Sequence, residues 1–397
     1  MSKGAIIAIV VAILVIIAGL AYVFWPKGGE KPSGGKVAIV FDVGGRGDLS
    51  FNDMAWLGAE NAKKDFNLTV EYVTPQSEAD FVPTLSNLAE SGDYLIIVGI
   101  GFLIADAIDE VAQNYTNQKF AIIDAVVDRP NVASYVFREQ ECGALIGVLA
   151  AVIAHNTGND KVAALMGMSI PPLWRFHIGY EYGVKWYDQQ TGQNTTVLYV
   201  YTGTFGDPAT GKDYTLQLLD QGANVVYGLA GATHIGAFDA VKEKAQETGQ
   251  PYFAIGQDAS QEWYDPDHII VSGRKKVDVA VYDAIESAYK GTFQGGVHSL
   301  GLAEGGVGVS TLDEVEWFAQ LAADTGHLKD MTPQEVRQKV AQLRDQYIGE
   351  EGWNLVDQLK QQILGGLKFV NPPSQEEYET VIQQLEAGNL NAAIEQS

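Results

Sequence analysis

The chain has 397 residues, 46% hydrophobic and 19% charged, a globular composition with length for two or three domains. Its formal net charge of -24 at pH 7 argues against a phosphate-backbone partner and is read as solubility, so no nucleic acid is expected. With one cysteine no intramolecular disulfide can form, and Cys142, set in Glu141-Cys-Gly-Ala-Leu-Ile-Gly, reads as a buried small hydrophobe rather than a nucleophile.

Residues 4–25 contain no charged side chain and reach roughly 30 Å as a helix, enough to cross a bilayer core. Lys3 precedes them, and Tyr22 and Trp25 stand at the far end as interfacial anchors. The stretch is longer than a secretory signal, has no small-residue cleavage site, and has no cysteine at its end to carry a lipid. An uncleaved transmembrane anchor is expected, with the soluble part outside the cell. Lys27 and Lys31 oppose the weak positive-inside signal of Lys3, so orientation leans on the rest of the chain. Residues 26–35 form a Pro/Gly tether. Asn-x-Thr sequons beginning at Asn67, Asn114 and Asn194 permit glycosylation outside the cell.

After the tether, strand and helix patterns alternate. Residues 36–41, 68–73, 94–98, 120–123 and 132–137 read as strands; 52–66, 79–89, 105–113 and 142–154 read as helices. A second series follows, with strands at 162–166, 197–201, 225–227, 252–255 and 269–272, and helices at 176–187, 214–219, 236–245 and 277–289. Near-continuous apolar strands between amphipathic helices indicate parallel, doubly wound sheets covered on both faces. Two series of similar length predict two α/β lobes. From about residue 312 the composition turns to Gln, Glu, Leu and Ala, and helices at 336–347, 353–364 and 378–386 form a C-terminal appendage. The expected divisions are 4–25 anchor, 26–35 linker, 36–137 first lobe, 138–260 second lobe, 261–310 return to the first lobe and 311–397 helical extension.

Three acids end apolar strands: Asp42, Asp124 and Asp258. Ligands of α/β sheets bind at the carboxyl ends of strands, so a shared cleft is expected, and carboxylates suit ligands rich in N–H and O–H donors. Gly44, Gly45 and Gly47 after Asp42 match neither a dinucleotide fingerprint nor a P-loop. Ser50 could cap the next helix or Asn52 could touch a ligand, and both readings stand. Phe51, Trp174, Phe176 and Phe205 lie in Gly/Pro-rich strand-end segments, either as ordinary packing or as stacking platforms for a flat ring. Arg274, Lys275 and Lys276 form a basic cluster at an expected helix start, where cations oppose the helix dipole, which hints at a ligand. The histidines show no metal-ligand spacing and no triad signature is present, so no metal, no cofactor and no enzymatic activity are expected.

Together these segments resemble the basic membrane protein family, the purine-nucleoside-receptor type of ABC-transporter substrate-binding proteins. The resemblance rests on Asp42-x-Gly-Gly-x-x-Asp-x-Ser-Phe-Asn, Phe120-Ala-Ile-Ile-Asp, Asn131-Val, Glu141-x-Gly-x-Leu-x-Gly, Gly203-x-Phe-x-Asp, the turn at 228–236, Gly256-x-Asp and Ser272-x-x-Lys-x-x-Asp278, in the family's order over residues 36–308. It implies a type I periplasmic-binding fold with a cleft between hinged lobes and three crossings, placed near Phe137, Asp258 and the end of the 277–289 helix. It also implies a purine stacked between Phe51 and Phe205 with Phe176 in reserve. Asn52 and Asp124 would bond the base edge, and Asp42, Asp258 and Lys275 the ribose. An ABC permease would be the partner. The chain departs from the family in its anchor helix, in Ala232-Thr-His, and in a longer C-terminal region. A receptor for a sugar or other small polar solute, or a membrane-tethered sensor, remain the alternatives.

Overall fold

The computed structural model describes residues 35–42 and 44–395. The expected anchor at 4–25, and its tether apart from Gly35, lie outside them. Among the described residues no helix is long and apolar enough to cross a membrane.

The first sheet is built from β1 (Lys36–Val40), β2 (Thr69–Val73), β3 (Tyr94–Ile100), β4 (Phe120–Ile123) and β5 (Val132–Phe137). Its helices are α1 (Phe51–Phe66), α2 (Phe81–Ser91) and α3 (Ala105–Asn114). The second sheet holds β6 (Lys161–Met166), β7 (Thr196–Tyr201), β8 (Val225–Leu229), β9 (Phe253–Asp258) and β10 (Ile269–Lys275). Around it lie α4 (Glu139–Asn156), α5 (Pro171–Thr191), α6 (Pro208–Asp220) and α7 (Thr233–Thr248). Then α8 (Val277–Lys290) and β11 (Gly296–Leu300) rejoin the first sheet, and β12 (Val307–Val309) returns to the second. The strand orders, β11-β5-β4-β3-β1-β2 and β12-β10-β9-β8-β6-β7, are the same pattern twice. Every pairing is parallel except β10–β12. Central strands such as β4 and β9 are buried along their whole length, the reason they read as unbroken apolar runs.

The expected return to the first lobe over 261–310 is corrected. β10 runs parallel to β9, with Ile269 opposite Ala254, and its side chains are buried in the second sheet. The chain leaves that sheet only after Lys275, when α8 packs on α1 so closely that a Cβ at Gly58 would meet the Asp278 carbonyl. Nor does the last crossing follow α8: the chain stays for β11 and leaves after Leu300. Neither β11 nor β12 has an expectation from sequence, because both are short, glycine-bearing edge strands.

In the second lobe α4 and α5 cross at backbone contact. Cβ atoms at Gly143, Gly147, Gly179 and Gly183 would lie 2.0–2.4 Å from carbonyl oxygens of the facing helix, so the two Gly-x-x-x-Gly pairs set the approach. Cys142, on α4, is fully buried.

The C-terminal extension comprises α9 (Leu312–Asp324), α10 (Pro333–Tyr347), α11 (Gly349–Leu364) and α12 (Gln375–Glu386). Capping boxes at Thr311/Glu314 and Thr332/Glu335 start α9 and α10. α11 packs on α4, α12 on α5 and α10 on β10. Arg344 of α10 is inserted into the second lobe, donating to the Ile270 and Ser310 carbonyls at 2.9 Å and to Glu262 Oε1 at 2.8 Å. At the α12 junction, Tyr378 Oη lies 2.7 Å from His177 Nδ1 and 2.9 Å from Tyr201 Oη. Glu181, fully buried beside them, has no partner among the described residues on either carboxylate oxygen, and His177 Nε2 is 3.7 Å from Oε1, beyond hydrogen-bond range.

Candidate functional site in the cleft

Asp42, Phe51, Asn52, Asp124, Phe176, Phe205, Asp258 and Lys275 all line one cavity between the sheets. Its volume is about 70 Å³, below the roughly 300–1,000 Å³ of small-molecule sites, so the cleft has to open to take a ligand. The repeated topology explains the convergence. β4 and β9 hold the same place in their sheets, and their carboxyl ends present Asp124 and Asp258 toward each other's lobe. Both aspartates have left-handed backbones, φ 77° and 69°. That conformation costs a non-glycine residue about 1–3 kcal/mol and clusters at functional sites.

On the first lobe, Asp42 Oδ1 accepts from Gly44 N at 3.0 Å and Asn52 Nδ2 at 3.3 Å. Burial pushes the Asp42 pKa up against these bonds. Asp48 caps α1, accepting from the backbone N–H of Ser50, Asn52 and Asp53 at 2.8–3.1 Å. Burial, with the Asp53 charge beside it, raises its pKa to about 7. Ser50 is therefore not the side-chain cap; its hydroxyl donates instead to Asp258 Oδ2 at 2.6 Å across the cleft. Gln261 Nε2 donates to the Leu49 carbonyl at 2.9 Å, a second bond across the seam. Asn52 Oδ1 and Asp124 Oδ1 are buried without a partner among the described residues.

The basic cluster is also corrected. Arg274 and Lys275 are the last two residues of β10, both buried, and only Lys276 stands at the helix cap. Lys275 Nζ lies 2.7 Å from Asp124 Oδ2 and 3.0 Å from Glu139 Oε1, and Arg175 Nε lies 2.6 Å from Glu139 Oε2. The rings of Phe137, Phe51 and Phe176 surround the ammonium, with centroids at 5.0, 5.2 and 5.6 Å. Burial raises the Asp124 pKa to about 6 against the pull of Lys275. For Glu139 burial also works upward, but Arg175 and Lys275 prevail and hold it below the ordinary value.

Phe205 packs over Gly167, where a Cβ would lie 2.2 Å from its ring, and its own Cβ faces Gly44 of the other lobe. Trp174 is packing: it stacks on Tyr378 with centroids 5.5 Å apart and donates to Ser169 Oγ at 2.8 Å. His177 and His234 are fully buried, and burial lowers both to about 3. Among the described residues no three His, Cys, Asp or Glu side chains are grouped to hold a metal. The sequence list omitted Asp48, Gln257 and Glu139. The first two adjoin residues it singled out, but nothing local in the sequence pairs Glu139 with Lys275.

A family model described as ABC transporter substrate-binding protein PnrA-like matches residues 36–390. An uncharacterized lipoprotein of Pyrococcus furiosus is 50% identical over the whole of both chains. The ABC transporter nucleoside-binding protein BmpA of Lactococcus lactis is 32% identical over 68% of this chain and 80% of its own. A crystal structure of an ABC transporter solute-binding protein from Aeropyrum pernix superposes with a TM-score of 0.89 at 50% identity, covering 91% of this chain and all of that one. Two like-ordered parallel sheets facing a cleft are thus the solute-binding architecture, and the chain belongs to the PnrA-like (Bmp) family of ABC-transporter substrate-binding proteins.

Proposed function

We propose that the chain is the extracytoplasmic receptor of an ABC importer and that it binds a purine nucleoside between its two lobes. The observation that carries this is the pair of buried, unpartnered acceptors, Asn52 Oδ1 and Asp124 Oδ1, at a cavity walled by Phe51, Phe176 and Phe205. A flat heterocycle supplies N–H donors at its edge and a face for stacking. Asp42 and Asp258, on facing lobes, suit ribose hydroxyls. Among the described residues Lys275 is the one Lys or Arg in the lining, and two carboxylates already hold its ammonium, so a neutral ligand fits better than an anion. In this reading Lys275 orders Asp124 and has at most one proton left for the ribose. Closure of the lobes over the ligand creates the surface a permease recognises. The residue 4–25 segment anchors the receptor at the outer face of the cell membrane, and two relatives are named lipoproteins.

A thermal-shift screen of the full chain against nucleosides, free bases and sugars tests the reading, since a ligand that binds only the folded state raises the melting temperature. Shifts with guanosine, inosine or adenosine that vanish in Phe51→Ala and Asp258→Ala are expected. Shifts with sugars alone would retain the receptor and discard the nucleoside.

A further inference from the structure

Among the described residues Asp258 is the only acid that the second lobe contributes to the cavity lining, and it sits in a left-handed backbone. Its carboxylate is oriented by Gln257 Nε2 at 2.9 Å and Ser50 Oγ at 2.6 Å. Its backbone is held from behind. Arg274 is opposite Asp258 in the β9–β10 register and donates from Nη1 to the Asp258 carbonyl. Arg274 is buried, and the far side of its guanidinium rests on α9: Nε faces Glu314 Oε1 at 3.3 Å, and the guanidinium carbon is 4.6 Å from the Phe318 ring centroid. Glu314 is itself fixed by the capping box with Thr311. A guanidinium has a planar, rigid fork of donors, so two braces on one side aim the donor on the other.

We infer that Arg274, braced by Glu314 and Phe318, is the positioning residue for Asp258, so that the C-terminal extension sets how strongly the cleft selects a vicinal diol. This rests on the reading that Asp258 accepts from ribose hydroxyls. Without the donor, the peptide after Asp258 keeps only the bond from Ala259 N–H to the Gln257 carbonyl at 3.0 Å, the residue relaxes from its left-handed geometry, and the carboxylate shifts off the ligand. α9 thereby differs from α11 and α12, which cover α4 and α5.

The test is titration calorimetry of the full chain with a purine nucleoside and with its 2′,3′-dideoxy counterpart. The unmodified chain should prefer the ribonucleoside. Arg274→Lys should weaken ribonucleoside binding by roughly tenfold or more, the scale of one charge-assisted hydrogen bond, and leave the dideoxy affinity nearly unchanged. Glu314→Gln should move the ratio the same way by less, and it serves where Arg274→Lys does not fold. Equal losses for both ligands, or an undiminished preference in a folded variant, overturn the inference alone. An unmodified chain that binds both ligands equally overturns it together with the diol assignment, and one that binds no nucleoside overturns the proposed function as well.

Discussion

Helix α5 carries two buried ionic settings that differ in one respect. Near its start, Arg175 joins Glu139, Lys275 and Asp124 in an alternating network at the cleft. Farther along, Glu181 and His177 lie under α12 with tyrosines as neighbours and, among the described residues, no cation hydrogen-bonded to the acid. Burial penalises both acids, yet Glu139 is held below the ordinary pKa while Glu181 is driven up to about 8, with the Glu386 charge adding to burial and Lys185 too weak to offset it. Partners, not depth, decide which acid stays charged. Glu139 at the cleft is therefore the charged acid of the two, and Glu181 under α12 the one that burial favours as neutral.

Breaking the cleft network should have the largest effect. Lys275→Met removes the cation between Asp124 and Glu139 and leaves Arg175 alone to balance them. Removal of one partner from a buried network typically costs about 3–5 kcal/mol, because an uncompensated charge stays behind. Urea unfolding should register that loss at neutral pH. A loss under about 1 kcal/mol would show that the network is already solvated and not the rigid floor of the site.

How far all this was legible in the sequence follows from the range of each interaction. Asp42, Asp124 and Asp258 stood out because each ends an apolar strand, a local pattern, and the fold brings them together by repeating one topology. Periodicity places the first helix at 52–66, within a residue of Phe51–Phe66, but reads 176–187 for Pro171–Thr191. Long-range partnerships were not. Ser50 looked like a cap because it precedes a helix, but Asp48 takes that role and Ser50 reaches a residue 208 positions away. Arg274 and Lys275 read with Lys276 as a helix start because the strand pattern covers only 269–272 and the helix pattern begins at 277. Their burial in a strand depends on Glu139, Asp124 and Glu314 from elsewhere in the chain. β11 was invisible because Gly296–Leu300 is a largely exposed edge with no core face to impose alternation.

The unpaired acid should show itself through pH. The folded pKa of Glu181, about 8, lies above its ordinary value of 4.5. Its contribution is therefore fully present below pH 4.5 and is lost as pH rises toward 8, because only the unfolded state releases the proton in that window. At 1.36 kcal/mol per unit, the loss between pH 5 and pH 7 is on the order of 2 kcal/mol. Asp48, raised to about 7, adds a slope of the same sign, so the quantity to read is the difference between the chain and Glu181→Gln. The variant should have the flatter profile; parallel profiles would mean that Glu181 is solvated in the native state.

The smallest effect isolates the junction from the charge. Tyr378→Phe keeps the ring that stacks on Trp174 and removes the hydroxyl shared by His177 and Tyr201. Losing one such bond should cost about 1 kcal/mol. Because α12 docks on α5 at the surface of the second lobe, the loss should be local: faster amide exchange across Gln375–Glu386 with no change at β9 or in ligand affinity. If the cleft also loosened, α12 and the cleft would be energetically coupled through α5, and the two ionic settings on that helix would have to be treated as one system.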